Sequence, residues 1–264
     1  MNIIFIISRI VNKMRSLIAS LYFNGYGVKC CLCGKRSGRY IPYRGGRRPA
    51  LIAALDVVGS DVKKFSCPRC GCSDRARHLY LYLERLGLWD KFRGANILHF
   101  APENALSLVI ESKAPARWVR ADLFPLGSDI EKIDIQSIPY DDNSFDIVIA
   151  NHVLEHVSDD NAALRELHRV LKPQGLAIIQ TPFSAKLEHT FCDTGVDTES
   201  ARLQAFGQED HVRLYGKDIF KRIESHGFLS HVAFHDKVLP DINTAFFGVN
   251  KKEPLFLFEK SIKI

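Results

Sequence analysis

From Asn96 onward, short apolar runs alternate with segments whose apolar residues recur every three or four positions. Runs of four to eight apolar residues bounded by turn formers read as buried strands, and a 3.6-residue period reads as amphipathic helix. The pattern predicts strands over 96–101, 117–121, 130–135, 145–150 and 176–180, with two more over 228–234 and 255–259. It predicts helices over 103–113, 160–171 and 218–225, the second facing inward with Leu164, Leu167, Val170 and Leu171. Alternation of this kind implies a largely parallel sheet with helices on both faces, whose ligands bind at the carboxyl ends of the strands.

The first third follows another pattern. Ile3, Ile7, Ile10, Val11, Met14, Leu17, Ile18 and Leu21 fall at helical spacing, interspersed with Arg9, Lys13 and Arg15. That is a basic amphipathic helix over 3–23, suited to packing on the rest of the protein or to peripheral contact with an anionic membrane surface. Residues 24–50 are rich in Gly, Arg and Tyr and read as loops with one short hairpin. Ser73 can cap a helix through Leu79, Leu83 and Leu86, which Gly87 ends.

Length and charge sharpen the division. The 264 residues exceed one small module, and 46% hydrophobic content excludes bulk disorder. Residues 1–94 hold 18 basic and only 5 acidic residues, against 18 and 25 in the remainder. We divide the chain into the amphipathic helix (1–24), a basic cysteine-containing unit with its connecting helix (25–93) and an α/β domain (94–264).

Six of the seven cysteines fall in two clusters: Cys30, Cys31 and Cys33, then Cys67, Cys70 and Cys72. Cys30-x-x-Cys33 and Cys67-x-x-Cys70 each bring two thiolates onto a tight turn, and four thiolates make a closed tetrahedral zinc site. Gly34 and Gly71 follow the pairs and supply the open backbone of such turns. Cys30, Cys33, Cys67 and Cys70 are therefore the expected ligands of one structural Zn²⁺, with Cys31 and Cys72 as spares able to replace a neighbour. The N-terminal apolar run precedes its basic residues, the reverse of a signal peptide, and Ser8-Arg9 interrupts it. The expected compartment is the reducing cytoplasm, with or without peripheral attachment to the inner face of the membrane.

The segment 133–181 carries a recognisable series: Asp134, the Ile138-Pro139-Tyr140 turn, Ser144-Phe145-Asp146, Leu154-Glu155-His156, the helix from Leu164, and Lys172-Pro173-Gln174-Gly175. It resembles class I S-adenosylmethionine-dependent methyltransferases of the type 11 group, over roughly residues 94–262. The resemblance implies a Rossmann-like seven-stranded methyltransferase sheet with helices on both faces, here preceded by a small zinc-ribbon-like unit. It also implies S-adenosyl-L-methionine as cofactor. Asp122, beside Leu123 at the tip of the second strand, would take the ribose hydroxyls. Asp134 and the Ile135 backbone would meet the adenine. Asn151 and His152, ending the fourth strand, would flank the methionine moiety and the methyl group. The first strand–helix turn, His99-Phe100-Ala101-Pro102-Glu103, lacks the usual glycines. Ala101 stands in for one of them, and Glu103 is placed to meet the sulfonium or the amino group.

Between the fifth strand and the last helix lies His211-Val212-Arg213-Leu214-Tyr215, between Gly207 and Gly216. If this stretch is strand-like, His211, Arg213 and Tyr215 share a face as a base, a cation for an anionic acceptor and an aromatic ring. The expected reaction is O-methylation of a small or carrier-linked acceptor such as a glycan precursor. An RNA base is the alternative acceptor, held by the basic unit through Arg44, Arg47 and Arg48 with Tyr40 and Tyr43. A third reading is a binding module on a degenerate methyltransferase fold.

Overall fold

The computed structural model describes residues 27–45 and 48–261, together with Met14, Leu17 and Gly25. Apart from Met14 and Leu17, the expected helix over 3–23 lies outside the described residues, as does Arg47.

The first two strands, β1 (Val28–Lys29) and β2 (Arg36–Ser37), form a small hairpin. The main sheet follows: β3 (Asn96–Phe100), β4 (Arg117–Asp122), β5 (Glu131–Lys132), β6 (Phe145–Ala150), β7 (Leu171–Ile178), β8 (Phe228–Ser230) and β9 (Leu257–Lys260). Its order is β5-β4-β3-β6-β7-β9-β8, parallel except for β9, which runs antiparallel to both neighbours. The chain moves from β3 outward to β5, then crosses to β6 and builds the other side. The crossover falls between β3 and β6, and there the carboxyl ends of the strands open a crevice.

Side chains alternate across the sheet, as a two-residue period requires. Leu98, Phe100, Val148 and Ala150 enter one core with Leu164, Leu167 and Val170 of the helix Asp160–Val170. Ile97, Ile147 and Ile149 enter the other, against Leu106 and Ile110 of the helix Asn104–Ser112. Leu79, Tyr82 and Leu83 of the helix Asp74–Arg85 join this second core. The connecting helix of the front segment therefore packs into the sheet's second core, while Cys30, Tyr40, Cys67, Cys72 and Ala76 form a separate cluster.

Several expected elements change extent for local reasons. The strand expected over 130–135 pairs only at Glu131–Lys132, because Asp134 Oδ1 accepts the Gln136 N–H at 2.8 Å and turns the chain. β7 begins at Leu171 rather than 176, and Lys172–Gly175 forms an irregularity within it. There Gln174 has φ +62°, and a Cβ on Gly175 would meet the Leu171 side chain at 2.8 Å. The helix expected over 73–86 forms over Asp74–Arg85, with Ser73 Oγ accepting the Ala76 N–H. The helices Ala50–Ala54 and Glu199–Phe206 lie where the sequence pattern predicts no helix, and they pack together through Ile52 and Phe206.

Candidate functional site

At the switch point, β3 ends at Phe100 and Ala101 takes φ +47°, its N–H donating to the Ala121 carbonyl at 2.9 Å. This is the left-handed conformation that glycine adopts freely, so the glycine-free turn still has the shape its position demands. β6 ends the same way, with His152 at φ +56°. Around these two bends several buried polar atoms have no hydrogen-bond partner: His99 Nδ1, Asn151 Oδ1 and both ring nitrogens of His152. Buried polar atoms are ordinarily paired, so this group is suited to a polar ligand. Glu103 Oε2 lies 3.3 Å from His99 Nε2. Burial works to raise the Glu103 carboxyl, but the contact with His99 outweighs it and holds it below its usual range.

Asp122, at the end of β4, accepts the Phe124 N–H on Oδ1 at 2.8 Å, and its neighbour Leu123 is 44% exposed. Asp134 is fixed by Gln136 on its Oδ1, while Ile135 is buried. These residues line the strand ends on the β4–β5 side of the crossover, and Asn151 and His152 lie on the β6 side. The donor set fits the ribose, adenine and amino-acid parts of S-adenosylmethionine.

A cavity of about 700 Å³ is walled by Tyr43, Arg48, Phe65, Arg75, Asp210 and His211. Arg75 Nε is buried without a partner. Burial lowers the His152 imidazole and the Arg75 charge lowers it further, so the ring is neutral at physiological pH. Next to it, burial works to raise the Glu155 carboxyl, yet His152, His211 and His156 together hold it at about 2. Arg48, expected to hold an RNA acceptor, and Arg75, given no such role by the sequence, are brought to the same cavity by the tertiary fold.

The segment expected to bind the acceptor divides. His211 reaches the cavity wall. Arg213 and Tyr215 do not: they are 6% and 0% exposed and are used inside the protein. Arg213 donates to the carbonyls of Leu154, Val157 and Ser158 at 2.7, 2.7 and 2.9 Å. Tyr215 donates to Asp160 Oδ2 at 2.9 Å. Leu214 is buried as well, so the alternation of faces is absent. Gly216 is closely packed, since a Cβ there would meet the backbone of His189 and Leu187 at 2.8 Å. The segment instead clamps the loop after β6, which carries Asn151 and His152.

The cysteines of the two clusters converge, packed with Tyr40 and Ala76. One sulfur each of Cys30, Cys67, Cys70 and Cys72 lies within 4.8 Å of the others, so Cys72 stands in this group of four in place of the expected Cys33. Cys30 Sγ is 3.8 Å from Cys70 Sγ and 3.4 Å from Cys72 Sγ, and Cys33 Sγ is 3.9 Å from Cys67 Sγ. A tetrahedron with Zn–S bonds near 2.3 Å has sulfur–sulfur edges of about 3.8 Å, so the spacing suits zinc. The two turns are alike: Gly34 N–H donates to Cys30 O and Gly71 N–H to Cys67 O, both at 2.9 Å, with φ +69° and +75°. Cys31 points away and donates to the Arg77 carbonyl. Arg77, wholly buried, bonds to the carbonyls of Cys72, Lys64, Phe247 and Gly248 and approaches Cys72 Sγ at 3.7 Å. No carboxylate pairs with it among the described residues, and a tetrathiolate metal centre would supply the missing negative charge.

Tyr40, assigned to base stacking, is instead 4% exposed, under the Arg77 guanidinium at 4.0 Å, with its hydroxyl donating to Lys29 O. Tyr43 is 47% exposed.

The seven-stranded, mostly parallel sheet is consistent with a Rossmann-like methyltransferase fold, and residues 94–179 match the methyltransferase-domain family. Among curated relatives, an uncharacterized protein of Escherichia coli named YafE is 39% identical over 80 residues, 30% of this chain and 36% of that protein. The demethylmenaquinone methyltransferase of Staphylococcus epidermidis is 49% identical over 45 residues, 17% of this chain and 19% of its own. The chain thus spans about a third or less of the length of these relatives. An S-adenosylmethionine-dependent methyltransferase from Mesorhizobium loti aligns at a TM-score of 0.48 and 14% identity, over 67% of this chain and 95% of that one.

Proposed function

We propose that the protein transfers the methyl group of S-adenosyl-L-methionine to an oxygen of a small or carrier-linked acceptor, with a glycan precursor as the favoured class. The observation that carries this is the row of unpartnered buried atoms at the ends of β3 and β6, together with a cavity whose wall includes Arg75, close enough for its charge to act on His152. The methyltransferase-domain match over the same strands supports it. When bound, S-adenosylmethionine supplies an electrophilic methyl group on a positively charged sulfur.

The chain's own residues bind and orient. Asp122 offers the oxygen that Phe124 leaves free to a ribose hydroxyl, and Asp134 with Ile135 receives the adenine. Asn151, His99 and Glu103 take the amino-acid end. Neutral His152 stands beside the methyl group, where it can orient an acceptor hydroxyl or receive its proton. Arg48 and Arg75 attract an anionic group of the acceptor into the cavity, and holding both reactants in line provides most of the acceleration. The cysteine cluster holds structural zinc, since four thiolates leave no open position.

Calorimetry with S-adenosylmethionine should show micromolar binding, weakened about ten- to a hundredfold in Asp122→Asn. No binding to the wild type, or an unchanged affinity in the variant, removes this reading of the site.

A further inference from the structure

Beside the proposed methyl site lies a second group with ligand chemistry, away from the cysteines. One carboxylate oxygen of Glu155 and one ring nitrogen each of His156 and His211 all lie within 4.8 Å of one another. Glu155 is 1% exposed and His211 3%, and Glu155 Oε1 and His211 Nε2 have no hydrogen-bond partner. Glu155 Oε1 is 3.3 Å from His152 Nδ1, but neither atom is aligned for a hydrogen bond. Leaving such atoms dry and unpaired is costly unless something else completes them.

We propose that Glu155, His156 and His211 bind a divalent cation that holds the acceptor oxygen. Each residue is oriented by a partner behind it. His211 Nδ1 lies 3.2 Å from the Phe206 carbonyl, which can only accept, so that nitrogen carries the proton and Nε2 offers its lone pair. His156 Nδ1 lies 3.2 Å from Asp210 Oδ2, which leaves its Nε2 for the ion. Glu155 Oε2 accepts the Thr181 hydroxyl at 3.0 Å. Backbone carbonyls and carboxylates behind metal-binding histidines fix the tautomer in this way. Two imidazoles and one carboxylate suit Mn²⁺, Fe²⁺ or Zn²⁺ and leave coordination positions open.

The site adjoins the cavity, since His211 among the ligands and Asp210 behind His156 are part of its wall. The ligand class that fits is an acceptor whose hydroxyl, alone or with a neighbouring oxygen, completes the ion's shell. A hydroxyl bound to a cation gives its proton to water more readily, which would leave an alkoxide beside His152. The assignment of the acceptor rests on the methyltransferase reading. The cation site itself does not.

The test uses the full-length protein as purified, with Mn²⁺ alone as probe, because a hard ion avoids the thiolate cluster. Loss of the free Mn²⁺ signal in electron paramagnetic resonance gives stoichiometry and affinity. The expected result is one Mn²⁺ per chain, weakened at least tenfold in His211→Gln and in His156→Gln, and about ten- to a hundredfold in Asp210→Asn. His156 and Asp210 are partly exposed, so their variants should keep the wild-type melting temperature even if His211→Gln does not. No Mn²⁺ binding by the wild type, with no displacement of a resident ion by excess Zn²⁺, overturns the site. So does Mn²⁺ binding that survives His156→Gln. S-adenosylmethionine affinity, measured in parallel, separates the two readings: Mn²⁺ bound without it leaves the cation site standing and removes the methyltransferase role.

Discussion

Replacing Arg213 by alanine tests whether the segment after the fifth parallel strand is an acceptor site or a clamp. The guanidinium makes three hydrogen bonds to main-chain carbonyls and lies 3.9 Å from Asp160. Bonds from a charged donor contribute about 1.5–3 kcal/mol each, so three would reach about 4.5–9 kcal/mol if every acceptor stayed dry. They do not stay dry. Ser158 is exposed and Val157 half-buried, so their carbonyls regain water. The Leu154 carbonyl keeps the Tyr215 hydroxyl at 3.2 Å, and Asp160 keeps Arg222 at 2.5 and 2.7 Å. What remains is roughly one charged hydrogen bond and the packing of the arginine stem, about 2–4 kcal/mol. Urea denaturation followed by fluorescence of Trp89 and Trp118 measures it, and the midpoint should fall with the slope unchanged. Cofactor affinity should weaken too, because the loop that loosens carries Asn151 and His152. A loss under about 1 kcal/mol, together with a raised acceptor KM, would refute the clamp and return Arg213 to the acceptor.

Two further outcomes test other parts of the structure. Elemental analysis should find one zinc per chain, retained in Cys31→Ser and reduced in Cys67→Ser, because Cys31 is turned toward a carbonyl and Cys67 stands among the other sulfurs. Burial lowers the His78 imidazole to about 3, below its unfolded value near 6.5, so the folded state resists its protonation. Its stability contribution is therefore present above about pH 6.5 and is lost as pH falls toward 3. His235 and the Tyr82 ring face it, as does Glu253, whose burial raises its carboxyl and works in the opposite sense. His78→Gln should flatten the loss of stability between pH 6.5 and 4 in denaturation curves, and an unchanged slope would remove His78 from the acid response.

The strand and helix alternation was legible from residue order because its causes are local. A two-residue period buries Leu98 and Phe100 on one face and Ile97 on the other, whatever the neighbours. The Ser73 cap and the Cys-x-x-Cys turns ending in Gly34 and Gly71 are local in the same sense. The roles proposed for Asp122 and Asp134 come from the family resemblance, and the bend at Ala101 takes the shape that a missing glycine would have given. Other features needed the folded chain. Arg213 reads as a free cation until the loop after β6, more than fifty residues earlier, presents three carbonyls to it. Tyr40 reads as an exposed ring until Arg77 covers it. Glu155 and His156 meet His211 only because β7 and the segment after it return the chain to the end of β6. Local order specifies which face a side chain takes on its own element, but its partner, and with it a free or a satisfied charge, depends on contacts that close only when distant segments pack.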